Sequence, residues 1–447
     1  MDRRDETDER LAPPVEDDLT AAFPLPRPNK TLTALATSAL ALPGIAGSAR
    51  ADAPIERSSA SFASSYYRED DVEGKRLSTT SSTDERYEVF AQQLRFDIPT
   101  SERTDIGIDI LYEEMSGASP WFVRNEGGRR VVFMSGATIE DQRTDVKLDL
   151  DYYMETGKDT LSIGYSTERD YESVSFGLAT ERNFNDKNTT VNVALGANFD
   201  EIEPTGGGTN LRVVSDHKWA VTAFAGFSQV LSRAAIAQVT LNYKHSDGFL
   251  DDPYKQVAFS DTSRGNVSDA RPHDKEQVSV LARYRHHFED IEGSLHLDYQ
   301  FYADSWSVVS HTAEVGWYQT LWDMFTIAPS FRYYSQSQAD FYEPVLNATL
   351  LAGRTPTLRT SDYRLSPYGA FSGRIKFELD LEDVLEYEAT GWRERVGFSD
   401  GVDLLLSVAY ERYFSDGHLG LTSVGEFDQN PGLVSFQVVS ITLNGRF

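Results

Sequence analysis

The 447-residue sequence contains no cysteine. Disulfides, thiolate metal centres, redox pairs and cysteine nucleophiles are therefore excluded. Basic residues are also scarce, because 42 Lys and Arg stand against 70 Asp and Glu and give a formal net charge of −28. Nucleic acid is not expected as a partner, since phosphate binding requires a basic surface.

Long apolar runs are nearly absent. The one such run extends from Leu32 to Ala46 and contains Pro43 and Gly44. It is shorter than the roughly 20 apolar residues that a helix needs to span a bilayer. Without a helical span, the chain can cross a membrane only as a closed β-barrel, in which every backbone polar group is hydrogen-bonded.

The same apolar run lies between two features of a secretory signal peptide. Arg27 and Lys30 precede it, and the A-x-A site of Ala49 and Ala51 follows it. A positive flank, a short apolar core and small residues at the cleavage site are typical of such a signal. We therefore expect export, with cleavage after Ala51. The predicted organisation is an N-terminal extension and cleavable signal peptide over 1–51 and an outer-membrane β-barrel over 52–447.

Strict alternation of apolar and polar residues dominates the rest of the chain. In residues 145–152, for example, Val146, Leu148 and Leu150 alternate with acidic and basic residues. This period is typical of a barrel strand with one face in lipid and the other in the lumen. It predicts an all-β, up-and-down antiparallel barrel of about sixteen strands, at 61–68, 87–97, 105–115, 143–154, 159–166, 173–183, 189–199, 217–229, 235–245, 277–288, 293–302, 307–319, 324–335, 365–379, 402–414 and 433–447.

The connections between these strands alternate in length. Short polar turns fall on one side, and longer loops fall on the other, which is the Gram-negative outer-membrane arrangement with the long loops outside. The connector at 380–400 is an exception, because it is long but lies on the predicted periplasmic side, and its 381–392 stretch is compatible with a short helix. We regard it as a candidate contact for a periplasmic partner.

The chain ends in an aromatic residue on an alternating strand. Phe447 shares one face of this last strand with Leu443 and Ile441. Together with the signal peptide, this pattern predicts recognition by the outer-membrane assembly machinery. Outer-membrane lipid and lipopolysaccharide are the other expected partners.

Several motifs resemble a bacterial outer-membrane family of unknown function, DUF3570. The likeness extends over about 52–447, and it implies a barrel and an outer-membrane location but no activity. The motifs are Met115-Ser-Gly-Ala-Ser-Pro-Trp121, Met134-Ser-Gly-Ala-Thr-Ile-Glu-Asp-Gln-Arg-Thr-Asp-Val146, Tyr165-Ser-Thr-Glu-Arg-Asp-Tyr171, Asn183-Phe-Asn-Asp-Lys-Asn-Thr-Thr190, Asp200-Glu-Ile-Glu-Pro204 and Asp362-Tyr-Arg-Leu-Ser-Pro-Tyr-Gly369.

No constellation of residues in the sequence predicts catalysis, a cofactor or a metal site. His296 and Asp298 share a lumen face, but no serine is obviously paired with them as a triad requires. Asp247, Asp251 and Asp252 could offer oxygen ligands to Ca²⁺, but their spacing matches no EF-hand loop. We interpret these residues as a solvated acidic loop and expect no enzyme.

Charges on the predicted lumen face fall into two groups. The acidic wall lies on the third and fourth strands, and the basic wall lies on the tenth, thirteenth and fourteenth, about half a circumference away. Opposed walls of this kind set a field that tunes what passes through a pore; the alternative is that any polar lumen carries charges. The acidic wall comprises Asp105, Asp109, Glu113, Asp145, Asp149 and Asp151, and the basic wall comprises Arg283, Arg285, Arg332, Arg374 and Lys376.

The loop between the third and fourth strands is flanked by two Met-Ser-Gly-Ala copies. It carries Trp121, Phe122, Arg129 and Arg130. Folding into the lumen as a constriction and standing on the surface are equally compatible with the sequence.

Three functions are compatible with these features. A porin-like channel for small hydrophilic solutes is favoured by the barrel size and the two charged walls. A docking barrel for a periplasmic or surface partner is suggested by 380–400. An outer-membrane hydrolase is least favoured, because no catalytic constellation supports it.

Overall fold

The computed structural model describes residues 57–135, 139–204, 213–322, 324–351, 354–381, 403–422, 424–425 and 429–447. Residues 1–51, with Ala49 and Ala51, lie outside this part of the chain, and so does all of the 380–400 connector beyond Leu381. Among the described residues, no helix is long and apolar enough to cross a membrane.

Sixteen antiparallel strands close into one barrel, and each strand pairs with its neighbours in sequence order. The first strand pairs with the last over Ser59–Glu69, and the Phe447 amide donates to the Ser58 carbonyl at 3.0 Å. Numbered along the chain with the short loop strands included, the barrel strands are β1 (Ser59–Glu69), β2 (Glu88–Ser101), β3 (Thr104–Gly117), β6 (Ile139–Met154), β7 (Gly157–Glu168), β8 (Tyr171–Phe184), β9 (Thr189–Ile202), β10 (Asp216–Ser232), β11 (Ala235–Gly248), β14 (Asp274–Phe288), β15 (Gly293–Asp304), β16 (Val309–Leu321), β17 (Phe325–Gln336), β19 (Tyr368–Asp380), β20 (Asp403–Asp416) and β21 (Phe436–Arg446).

Short strands and 3-10 turns occur in the connections. The strands are β4 (Pro120–Glu126), β5 (Arg129–Met134), β12 (Gln256–Phe259), β13 (Asn266–Ser268) and β18 (Val345–Leu346), and the 3-10 turns are Thr262–Arg264, Glu289–Ile291, Tyr363–Leu365 and Gly417–Leu419. β4 and β5 form a hairpin, while β13, β12 and β18 form a small sheet that joins two different loops.

The large apolar side chains of the strands point outward. Leu178 is 62% exposed and Leu195 is 56% exposed, although both lie in mid-strand. Aromatic pairs lie towards the short-turn end of this outer face, where Phe288 packs near Trp317 with ring centroids 5.7 Å apart. An apolar outer band with interfacial aromatics is the surface that an outer-membrane-type barrel presents to lipid.

The connections alternate as the sequence predicts. On one side, the described turns are as short as two residues, at 102–103, 155–156 and 233–234. Gly157, at φ +150°, begins β7 after such a turn, and a Cβ there would overlap the backbone carbonyl of Glu181. The other side carries the long loops, which are extracellular in outer-membrane barrels.

The alternation in the sequence therefore predicted all sixteen barrel strands, with ends that shift by a few residues. It did not predict the five short strands in the loops. β4 pairs with β5 and β12 pairs with β13 within one loop each, whereas Ala258 of β12 pairs with Val345 of β18 in a different loop, and no local pattern marks that distant pairing.

Candidate functional site

The acidic wall faces the lumen on β3 and β6. Asp105 lies opposite Asp151 in the register, and Asp109 lies opposite Lys147. Glu113 lies opposite Arg143, and Asp145 and Asp149 point the same way, because residues directly opposite on antiparallel strands share a face. All six carboxylates predicted for this wall are thus on one inner surface.

Cations from neighbouring positions partly neutralise this wall. Arg95 on β2 lies with its guanidinium 2.8 Å from Asp97, 3.9 Å from Asp109 and 3.8 Å from Asp149. The Lys147 ammonium lies 3.0 Å from Asp149.

Uncharged donors hold the remaining oxygens of these carboxylates. The Gln93 amide donates to both oxygens of Asp109 at 3.0 Å, and the Ser162 hydroxyl donates to Asp149 at 2.5 Å. Such bonds stabilise the carboxylate without removing its charge. The acidic wall therefore keeps more carboxylates than cations.

The basic wall also faces the lumen, but its cations have carboxylate partners. Both terminal nitrogens of Arg285 bond to Asp298, and Arg283 lies 4.0 Å from the same carboxylate. Arg374 on β19 lies 3.4 Å from Glu314 on β16, and Lys376 lies 2.9 Å from Glu378 on the same strand.

Arg332 lies directly opposite Glu314 in the register, and Arg374 lies opposite Glu411. The two walls predicted from the sequence therefore differ in kind. The acidic wall has an excess of negative charge, whereas the cations of the basic wall form a series of ion pairs. Sequence reasoning found the cations but not their partners, because the partners depend on strand register.

A third sector of the inner surface, on β7 to β9, carries small side chains. Gly164 lies opposite Ser175, and Gly177 lies opposite Gly196. A sixteen-strand barrel encloses a water-filled lumen unless something occupies it. These small residues leave this side of the lumen unfilled.

The long loops meet over the extracellular mouth of the barrel and share a buried core. We call this group of loops the cap. The Lys255 ammonium donates to the Pro120 carbonyl at 2.7 Å, and the Tyr254 hydroxyl donates to Asp170 at 2.6 Å. Arg86 donates to the Gly432 carbonyl at 3.2 Å.

The bonds of Lys255 and Tyr254 join loops that begin at distant strands of the ring, whereas Arg86 and Gly432 lie in loops beside the closing pair of β1 and β21. A sixteen-strand barrel is roughly 30 Å across, so the loops must reach over the mouth to touch. Apolar clusters fill the cap, among them one of Trp306, Val308, Ala339, Phe341, Tyr342 and Leu365.

Six buried charged side chains hold the centre of the cap, and we call them the cap network. Its members are Asp252, Lys255, Asp269, Arg271, Asp362 and Arg364. Asp362 accepts from Arg271 at 3.0 Å and from the Arg364 Nε at 2.9 and 3.0 Å. Arg271 also donates to Asp269 at 2.6 Å. Three carboxylates thus meet three cations, drawn from the 249–273 and 337–367 loops.

The surroundings of the cap network shift the pKa values of its carboxyl groups. Burial alone would raise the pKa of Asp362, but Arg364, Lys255 and Arg271 hold it well below its ordinary value. For Asp252 and Asp269, burial outweighs the nearby cations and raises the pKa. Asp362 is therefore the member whose charge the network stabilises most strongly.

The interpretation of Asp251 and Asp252 as a solvated acidic loop was wrong. Asp252 is 3% exposed and lies 3.4 Å from Arg364, and Asp251 accepts from the Arg271 amide at 2.5 Å. The sequence could not indicate this, because the cations that balance Asp252 lie as many as 112 residues away.

The hairpin predicted as a candidate constriction forms part of the cap. Phe122 stacks on Phe133 with ring centroids 5.0 Å apart, and Trp121 packs against both. Arg129 is exposed at the hairpin turn, and Arg130 is half-buried. The hairpin packs beside β12 and β18, so it leans over the mouth rather than lining the barrel wall.

One carboxylate cluster was missed by the sequence reasoning. Asp141, Glu168 and Asp170 are buried at the extracellular end of β6 and β7, and their ligand oxygens lie within 4.8 Å of one another. Tyr254 of the cap donates to Asp170. The group extends the acidic wall towards the cap. Its signal in the sequence was weak, because Asp141 is 27 residues from Glu168.

The C-terminal strand has the predicted alternation. Leu443 and Ile441 are exposed on the outer face, and Phe447 follows the last barrel residue. His296 stacks on Tyr318 with centroids 4.1 Å apart, while its neighbour Asp298 is bonded to the basic wall.

A family model described as "Protein of unknown function (DUF3570)" matches residues 32–215 and 208–391. The chain belongs to the DUF3570 family. This confirms the resemblance carried by the motifs in the sequence. No curated protein matches this DUF3570 chain.

Among solved structures, this DUF3570 protein is similar to several outer-membrane proteins. A bacterial polysaccharide outer membrane secretin shares 9% identity at a TM-score of 0.44, over 87% of this chain and 98% of that one. OccK2 (OpdF) of Pseudomonas aeruginosa, in complex with glucuronate, shares 11% identity at a TM-score of 0.37, over 88% and 96%. A Pseudomonas aeruginosa FadL homologue shares 11% identity at 0.36, over 87% and 90%. At these identities no function is transferred.

Proposed function

We propose that this DUF3570 protein is a porin-like outer-membrane channel for small hydrophilic solutes, exported with cleavage after Ala51. The observation that carries the proposal is the inner surface of the barrel. Two sectors of that surface carry polar and charged side chains, and a third carries small side chains. A barrel of sixteen strands encloses an aqueous lumen.

The cap sets the condition for passage. Since its loops cross the mouth and share a buried core, solutes reach the outside only where the cap leaves a gap or moves. In this proposal the Trp121 and Phe122 hairpin belongs to the gate, and it acts from above the barrel.

The test compares two adjacent residues of β9 that point to opposite sides. Gly196 faces the lumen, where an added Cβ meets nothing closer than the Phe176 carbonyl oxygen at 3.6 Å. Ala197 faces lipid between Leu195 and Phe199. In planar bilayers, Gly196→Trp should lower single-channel conductance and Ala197→Trp should leave it unchanged.

Wild-type protein and a cap-released variant, Asp362→Asn, are measured beside them. A heat-modifiable gel shift verifies that each variant is a folded barrel. Absence of conductance from both the wild type and Asp362→Asn would reject the channel.

A second proposal concerns 380–400, between β19 and β20. We propose that this segment contacts a periplasmic partner. Twenty-two residues connect Asp380 to Asp403 on the side where the described turns are much shorter. Replacing 382–401 by a short Gly-Ser linker should abolish co-purification of the partner and leave the heat-modifiable shift intact. An identical set of co-purifying proteins would contradict this proposal.

A further inference from the structure

The lumen carries unequal charge on its two sides. On β2, β3 and β6 the carboxylates facing inward outnumber the cations, and we call this sector the acidic track. Its carboxylates are Asp97, Asp105, Asp109, Glu113, Asp145, Asp149 and Asp151, and its cations are Arg95, Arg143 and Lys147.

Lys158 on β7 adds one cation beside the track, 3.0 Å from Asp151. Other hydrogen bonds to the track carboxylates come from uncharged groups, such as Gln93 to Asp109 and Ser162 to Asp149. Those groups fix the oxygens without cancelling their charge.

The opposite wall carries a smaller net charge. Its five cations face four carboxylates, which are Asp298, Glu314, Glu378 and Glu411. The fields of the paired charges fall off as those of dipoles, so only about one unpaired positive charge remains on this wall. An ion in the lumen therefore experiences mainly the track.

The track is also long. Asp105 lies near the short-turn end of β3 and Glu113 near its extracellular end, eight residues further on. At about 3.3 Å per residue and a tilt of about 40°, this separation is roughly 20 Å along the barrel axis. Asp141, Glu168 and Asp170 extend it to the cap. The carboxylates thus cover most of an apolar band that is about 25 Å tall.

From this asymmetry we infer that, given the proposed channel, the lumen selects small cations over anions and that the acidic track determines the selectivity. The basic wall predicted from the sequence contributes no matching anion path. The inference rests on the proposed function, because it requires that ions pass through the lumen.

The size of the effect follows from Coulomb's law in water. A unit charge about 7 Å from the ion path, screened at about 0.1 M salt, changes the cation-to-anion permeability ratio by about two- to threefold. Neutralising three carboxylates should therefore lower that ratio by about tenfold.

The experiment measures reversal potentials of the full chain in planar bilayers across a KCl gradient. We expect the wild type to give a K⁺-to-Cl⁻ permeability ratio well above one. The variant Asp109→Asn with Asp145→Asn and Asp149→Asn should reduce the ratio by about tenfold. Asp362→Asn, which releases the cap and leaves the track intact, should retain the wild-type ratio.

A matched control removes three charges from the cap surface instead. Asp261, Asp340 and Glu343 are exposed there, and Asp261→Asn with Asp340→Asn and Glu343→Gln should leave the ratio unchanged. A ratio at or below one in the wild type, or equal losses in both triple variants, would overturn the inference and leave the channel standing. Absence of conductance in the wild type and in Asp362→Asn would remove the channel and the inference with it.

Discussion

Asp362 offers the sharpest test of how the cap is held. Its side chain is 1% exposed and accepts hydrogen bonds from Arg271 and Arg364, which are 5% and 7% exposed. Asp362→Asn keeps the shape of the side chain but removes its charge, leaving three buried cations against two carboxylates. Breaking a buried ion pair from one side costs about 3–5 kcal/mol.

That free energy applies to opening of the cap, since the partners of Asp362 among the described residues all lie in the loops. The barrel strands keep all their backbone hydrogen bonds in the variant. Because each 1.4 kcal/mol is a tenfold change, the open population of the cap should rise by about 10²- to 4 × 10³-fold.

Limited proteolysis of the refolded protein measures this population. When opening is fast relative to cleavage, the rate of cleavage within the loops follows the equilibrium fraction of the open form. Asp261→Asn, in an exposed part of the 249–273 loop, is the control and should change the rate by less than threefold, as surface substitutions do. A rate for Asp362→Asn within tenfold of this control would refute the view that the network latches the cap.

Three further predictions concern the barrel and its hairpin. Deleting Phe447 should slow assembly into the outer membrane and should leave refolding in detergent unchanged, as measured by the heat-modifiable fraction in each. Gly117→Ala should destabilise the end of β3, because Gly117 has φ +114° and an added Cβ would overlap a backbone carbonyl; a melting temperature equal to wild type would count against this. Burial alone would raise the pKa of Glu126, but bonds from Ser78 and Arg124 lower it to about 2. The lowered pKa stabilises the hairpin above the ordinary glutamate pKa, so protection of the hairpin from proteolysis should fall as pH decreases from about 4.5 towards 2, and Glu126→Gln should remove this dependence.

The barrel could be predicted from the sequence because its rule is local. Side chains alternate between lipid and water, so each strand is visible in about ten residues, as at Val146, Leu148 and Leu150. The same rule placed the lumen charges on the correct face. The strand order could also be predicted, because a short turn places two consecutive strands next to each other, where they pair.

The cap could not be predicted because its interactions are between distant loops. Asp252 meets Arg364 and Asn430 meets Tyr342, separations of 112 and 88 residues, and neither pair has a spacing that marks it. The pairing of Arg285 with Asp298 also escaped prediction, although both were expected in the lumen. The face on which a side chain lies follows from alternation along its own strand. Its partner on the neighbouring strand depends on the pairing register, which is set by the exact length of each turn.

The cap is built from loops that follow strands all around the barrel, and this has a consequence for the order of assembly. Some of its contacts join the loop that follows the first strand to the loop that precedes the last, as Arg86 does with Gly432 and Arg76 with Asp416 where that loop begins, so these contacts cannot form until the sheet has joined edge to edge. The cap is then complete only after the barrel has closed during biogenesis. Resistance of its loops to protease on whole cells would report how much of the protein has completed closure, without any label on the strands themselves.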